Sequence, residues 1–290
     1  MIANLQKSYA KIRTKLADSV IYALLVLLGV LWVLPILYLI YTAFRVTPST
    51  GIINSLFPQG LRLGFGNFSK LFMHTDFLRW LGNTMLVASC SCILTTVFIL
   101  MVSYALSRLR FKMRKPIMNV LLILGMFPGF MSMIAVYFIL KAMGLTNSLL
   151  ALVLVYSGSA ALSYYICKGF FDTIPHAMEE AAILDGASQP MIFIKILLPL
   201  AKPIIVYTVL TSFIAPWCDF IFVNTIISDR KLYTVSLGLY KMINAEKNSF
   251  NDNFTVFCAG AFVVGGIIVS LFMSMQRYYV EGVTAGSVKG

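Results

Sequence analysis

The sequence predicts an all-α integral membrane protein with six transmembrane helices and a cytoplasmic loop of two short helices between spans four and five. Three observations predict it. Hydrophobic residues fill 59% of the 290 positions and charged residues only 12%, whereas a soluble domain is roughly 45–50% apolar. The apolar residues are gathered in runs long enough to cross a hydrocarbon core about 30 Å thick at about 1.5 Å per helical residue. The basic residues behind the net charge of +12 lie in short segments flanking those runs. There they set topology, which speaks against a nucleic-acid partner.

The first span covers residues 20–44 and follows a cytoplasmic segment, residues 1–19. It is too long for the apolar region of a cleavable signal peptide and no small-residue cleavage site follows it. The second covers 84–106, the third 117–140, the fourth 148–165, the fifth 204–227 and the sixth 254–275. A cytoplasmic tail, residues 276–290, closes the chain. With both termini inside, fourteen Lys and Arg residues fall on the inner side and nine on the outer, the sense the positive-inside rule requires. The five cysteines lie in or beside apolar segments without paired spacing and read as packing residues. His74 and His176 have no companions at ligand spacing, so no metal site is expected.

The inner loop, residues 166–203, carries the densest local signals. Asp172 or Thr173 can cap a helix that Pro175 begins, since proline's missing N–H is harmless in a first turn. Good helix formers run from Glu179 to Leu184, and Gly186 ends the helix. Ser188 and Pro190 start a second helix, with Phe193, Ile196 and Leu197 along one face, that stops near Pro199. From helix signals alone, this is either a re-entrant or interfacial hairpin or a docking element.

The spacing of particular residues goes further. Glu180-Ala181-Ala182, then Asp185-Gly186, then Ile196, then Leu198-Pro199, resembles the signature loop of binding-protein-dependent ABC importer permeases. In that family the loop is a coupling helix seated in a cleft of the ATP-binding subunit. The resemblance implies that small residues at the tip, Ala181, Ala182 and Gly186, pack closely there while the Glu180 carboxylate meets a basic partner group. It covers nearly the whole chain: Ser103 to Lys112, the turn Met143 to Asn147 and the tail Gly282 to Gly290 all look like the sugar branch. The tail is most similar to the smaller permease of maltose and maltodextrin importers, where it reaches between the ATPases; Gly286 and Lys289 are the residues that would do so here. Ser287 stands where that branch commonly has glycine. The partners implied are a sister permease, two ATP-binding subunits, an extracellular sugar-binding protein and membrane lipid. ATP and magnesium would be held by the ATPases, because this chain has no G-x-x-x-x-G-K-[ST] phosphate loop and calls for no cofactor of its own.

Asp219 is the one acidic residue inside a predicted span, where a charge costs roughly 2.5–3.5 kcal/mol on insertion scales and is usually turned to a cavity or a partner. Continuous helix from Ile204 would place it about 22 Å from the inner surface. Trp217 and Phe220 offer aromatic surface beside it, and an aromatic face with a carboxylate is what a sugar needs. The alternative is a structural bond to the sister permease or to Asn224. In the outer loop, residues 228–253, the resemblance implies that Tyr233, Tyr240 and Asn244 meet the docked binding protein; a solvated connector is the other reading, although it is long for one.

Two rival functions are weaker. An ion-driven secondary transporter calls for intramembrane charge relays and repeated halves, neither of which is evident. An intramembrane enzyme calls for a cluster of nucleophile, base or metal ligands that the spans lack. The expected seat is the bacterial cytoplasmic membrane.

Overall fold

The computed structural model describes residues 2–46, 62–126, 129–158, 161–244 and 249–285. Among these residues the regular structure is helical, apart from one isolated antiparallel bridge between Arg45 and Leu63. In chain order the helices are α1 (Ile2–Phe44), α2 (Gly66–His74), α3 (Phe77–Arg108), α4 (Arg114–Met126), α5 (Gly129–Ala142), α6 (Leu149–Gly158) and α7 (Ala161–Asp172). They continue as α8 (Ala177–Leu184), α9 (Gln189–Ile192), α10 (Leu198–Leu200), α11 (Lys202–Cys218), α12 (Ile221–Ile226), α13 (Val235–Asn244) and α14 (Ser249–Ala285). A π-helical turn, Phe193–Leu197, joins α9 to α10, and a 3₁₀ turn, Arg230–Leu232, precedes α13.

Helix α3 is the mast of the bundle. Its 32 residues span about 48 Å, and α6, α7 and α11 pack along it. Its first turns, with Phe77, Trp80 and Ala88, join Ala43, Leu71, Trp217 and Val256 in one apolar cluster. Val87 enters a second, with Leu152, Phe222 and Leu237. Its last turns, with Ile99, Leu100 and Tyr104, enter a third, with Phe171, Ile192 and Leu197. The third cluster lies under the loop end of the bundle and the first at the far end.

The far end is finished by side chains that take up spare backbone groups. Asn67 on α2 donates to the carbonyls of Ala43 (3.0 Å) and Arg45 (2.8 Å) and so closes the C-terminus of α1. Gly144 ends α5 with φ +69°, and Leu145 N–H reaches back to the Leu140 carbonyl at 2.9 Å, the return bond of a left-handed cap. Asn147, also left-handed at φ +59°, accepts from the backbone N–H groups of Ser228 and Asp229.

Three helices are long and apolar enough to cross a membrane alone: Asp18–Phe44, Phe77–Arg108 and Asn253–Arg277, among the described residues. Three bent pairs raise the number to as many as six. The third and fourth predicted spans are not single rods: α4 and α5 are bent by 105°, and α6 and α7 by 43°. The fifth is shorter than predicted. Helix α11 ends at Cys218, and Asp219 takes an extended conformation (φ −90°, ψ 108°) three residues beyond the helix-weakening Pro216. Residues 18–37 of α1 are exposed all round among the described residues. The cysteines divide: Cys92, Cys167 and Cys258 are buried, as packing residues are, whereas Cys90 and Cys218 face outward.

Candidate functional site

The loop between α7 and α11 is a bent, rigid projection. Helix α7 runs out through two turn bonds, Thr173 N–H to Phe170 and Ile174 N–H to Phe171, at 3.0 and 3.1 Å. Helix α8 then begins at Ala177, with the His176 carbonyl accepting from Glu179 and Glu180 N–H. Two glutamates in the first turn suit the positive end of the helix dipole. The predicted cap is not used: Asp172 is held instead by Ser107 Oγ at 2.6 Å and by Lys168, and Thr173 Oγ1 returns to the Phe170 carbonyl. At the other end Gly186 adopts φ +83°, and Ala187 N–H bonds the Ala182 carbonyl at 2.9 Å. A side chain at residue 186 would strain this turn, which is why glycine ends the helix there.

The two faces of α8 differ. Glu179 and Ala182 are buried, while Glu180, Ala181, Ile183, Leu184, Asp185 and Gly186 are exposed. Leu184 is 89% exposed, and Ile183 and Met178 of the same helix are exposed as well. Ala182 is therefore not at the tip: its small side chain lets α8 lie close on the third apolar cluster. Beyond the bend, Ile192 and Leu197 are fully buried and Phe193, Ile196 and Leu198 pack against the same cluster; Pro199 is exposed. The loop turns into α11 through 82°.

What fixes the loop to the bundle comes from α3. The Arg108 guanidinium donates through Nη2 to the carbonyls of Phe171 (2.7 Å) and Ile174 (2.8 Å). Its Nε lies 2.7 Å from Glu179 Oε1, a close charge pair rather than an aligned hydrogen bond. Nη1 reaches the His176 ring at 2.9 Å. Tyr104 Oη donates to Gln189 Oε1 at 2.6 Å, and its ring rests on Phe193 with centroids 4.8 Å apart. Sequence reasoning placed Ser103 to Lys112 in a family-like segment but tied none of it to the loop. The partners lie 63 to 85 residues apart, and adjacent Glu179 and Glu180 look alike until one is seen to face inward.

A second polar centre forms where α11 breaks. Asp219 Oδ1 accepts from Phe222 N–H at 3.0 Å, capping α12, and Oδ2 accepts from Tyr156 Oη at 3.0 Å. Ser236 Oγ donates to the Asp219 carbonyl at 2.8 Å. The carboxylate borders a cavity of about 680 Å³ that Tyr156, Ser132, Met133 and Phe222 also line. Of the three residues grouped there from sequence, only Asp219 lines it. Trp217 is buried in the first cluster, packed on Phe213, and Phe220 stacks on Tyr240 at 4.6 Å. Asn224 is not among the partners of the Asp219 carboxylate. Tyr156 was missed because it lies 63 residues away in an unremarkable apolar run.

The segment after α12 is not a loose connector. Thr84 Oγ1 accepts from Val235 N–H at 2.8 Å, and Asn83 donates to the carbonyls of Lys231 and Tyr233. Helix α13 buries Val235, Leu237 and Leu239; Tyr233 is half-buried, and Tyr240 and Asn244 are exposed. Gly286 and Lys289 lie outside the described residues.

The profile of the family described as binding-protein-dependent transport system inner membrane component matches residues 99–278. The chain is 31% identical over 274 residues to the galactooligosaccharides transport system permease protein GanQ of Bacillus subtilis strain 168, covering 93% of this chain and 94% of that one. It is 30% identical over 283 residues to the maltodextrin transport system permease protein MalD of Streptococcus pneumoniae strain R6, covering 97% and 98%. Its fold is shared with a chain of a bacterial ABC transporter involved in the import of the acidic polysaccharide alginate, at TM-score 0.77 and 19% identity, with 91% of this chain and 97% of that one aligned.

Proposed function

The chain belongs to the family of binding-protein-dependent inner membrane components and is a permease subunit of a carbohydrate ABC importer; from that premise we propose that it forms, with a sister permease, the translocation path of an ATP-driven oligosaccharide importer. It crosses the cytoplasmic membrane six times with both termini inside. The α8–α10 loop meets one of two ATP-binding subunits, and an extracellular binding protein delivers the sugar. ATP and magnesium reside in the ATPases, so this subunit converts their motion and catalyses nothing.

The observation that carries the reading is the two-faced α8. A leucine 89% exposed at the end of a short helix that also exposes Ile183, Met178 and the Glu180 carboxylate is a surface that a partner covers. Its inner face is anchored by a buried ion pair, so force applied at the tip reaches the bundle. The ATPases, closing on ATP, move the loop; the two permeases then exchange inward-open for outward-open packing. Asp219 and its cavity lie on the sugar's route, Tyr240 and Asn244 on α13 face the docked binding protein, and the tail with Gly286 and Lys289 reaches the ATPases. The relatives named for galactooligosaccharides and maltodextrin transport support a neutral oligosaccharide as the cargo.

The test is reconstitution of the co-purified complex in proteoliposomes with labelled maltodextrin and galactooligosaccharide offered in parallel. The expected result is uptake that requires ATP at the ATPase face and survives ionophores. Uptake by the chain without ATPases, abolished by ionophores, would make it an ion-driven carrier instead.

A further inference from the structure

Two helices that must move together need more than apolar contact between them, because apolar packing is non-directional and tolerates sliding. The bond set at the end of α3 is directional. Ser103, Tyr104, Ser107 and Arg108 lie on one helical face, at i, i+1, i+4 and i+5. Each reaches a different part of the loop region. Ser103 Oγ donates to the Tyr164 carbonyl in α7 at 3.0 Å. Ser107 Oγ donates to Asp172, the last residue of α7. Tyr104 bonds Gln189 in α9. Arg108 alone bridges three consecutive pieces: α7 at Phe171, the connecting turn at Ile174 and α8 at Glu179.

The Arg108 side chain is 2% exposed and that of Glu179 11%. A buried charge pair is weak evidence for stability, since apolar residues of similar volume often do as well, so its value must be sought in geometry. The planar guanidinium has donors fixed in a fork and can hold two carbonyls and a carboxylate at set angles; an ammonium on a flexible stem cannot. None of these bonds touches Glu180, Ile183 or Leu184, which leaves the outward face of α8 free.

We propose that Arg108 is a positioning residue for coupling: it welds α8 to the end of α3, so that displacement of the loop is delivered to a helix running about 48 Å through all three apolar clusters. Helix α3, rather than α11, into which the loop continues by sequence, is then the main recipient of the stroke. The 82° bend and the π-helical turn between the loop and α11 make the covalent route the compliant one.

This inference rests on the loop being the ATPase seat, and its test separates the two. Co-purified complexes carrying Arg108→Lys, Glu179→Gln or Tyr104→Phe are reconstituted beside the wild type, with labelled maltodextrin and galactooligosaccharide as probes. Subunit stoichiometry, basal ATP hydrolysis and sugar transported per ATP are measured together. The expected result is assembly with unchanged stoichiometry and basal hydrolysis within about twofold of wild type. Transport per ATP falls at least tenfold in Arg108→Lys and Glu179→Gln, and two- to fivefold in Tyr104→Phe. A purely structural role would lower yield and every activity in parallel, leaving sugar per ATP unchanged; that outcome, or a wild-type ratio in Arg108→Lys, overturns the proposal. If the arginine variant does not assemble, Glu179→Gln and Tyr104→Phe decide by the same ratio. A wild-type chain that carries no ATPase overturns the seat itself, and this inference with it.

Discussion

At the loop end, Arg108 and Glu179 meet as a buried ion pair, with Gln189 and Asp172 beside them also bonded by α3. At the break after α11, the Asp219 carboxylate is held by one tyrosine hydroxyl and one backbone N–H and opens onto a cavity of about 680 Å³. The first arrangement commits its charges to a single geometry. The second leaves acceptor capacity on a carboxylate beside open space, where a partner can be exchanged. On the proposed function, rigidity is concentrated where force would enter, and polar reserve where a solute would pass.

Four substitutions probe that contrast, in falling order of effect. Arg108→Ala leaves Glu179 buried without its counter-charge, a loss of roughly 3–5 kcal/mol; the apparent Tm of the purified complex in detergent should drop further than for any other change here. Gly238→Ala puts a Cβ 2.2 Å from the Trp80 ring, forcing α13 off α3 at a cost of about 1–3 kcal/mol; Tm falls, and loop-end coupling per assembled complex does not. Gly186→Ala must adopt φ +83°, a strain of about 1–2 kcal/mol. Its effect should appear as weaker retention of the ATPases during purification, because it distorts the outward turn of α8. Tyr156→Phe removes one hydrogen bond to Asp219, worth about 0.5–1.5 kcal/mol. Stability should barely change while the apparent KM for sugar does.

Much of this was legible in the sequence, and the remainder failed for definite reasons. Apolar runs gave the helical, membrane-spanning class, since burial in lipid leaves few alternatives for the backbone. Gly186 was read correctly as the end of α8 because a left-handed residue has a local signature. The breaks at Gly158 and Cys218 were missed because a few small or polar residues, Ser157-Gly158-Ser159 and Asp219, are averaged away within a long apolar window, and hydropathy does not register a change of direction. Ala182 was assigned to the tip because spacing cannot tell the inner face of a short helix from the outer. Asp219 stood out by charge alone, but its neighbours in sequence, Trp217 and Phe220, turn away from the cavity, and its partner Tyr156 comes from another helix. Tertiary pairing of that kind leaves no local trace.

The most direct test is to measure sugar uptake and ATP hydrolysis together in proteoliposomes bearing Glu180→Lys at one centre and Asp219→Ala at the other. Glu180→Lys is expected to shed the ATPases or to hydrolyse ATP without transport, whereas Asp219→Ala keeps full assembly and hydrolysis and loses uptake. Intact coupling in Glu180→Lys, with ATPases bound at wild-type stoichiometry, would contradict this expectation.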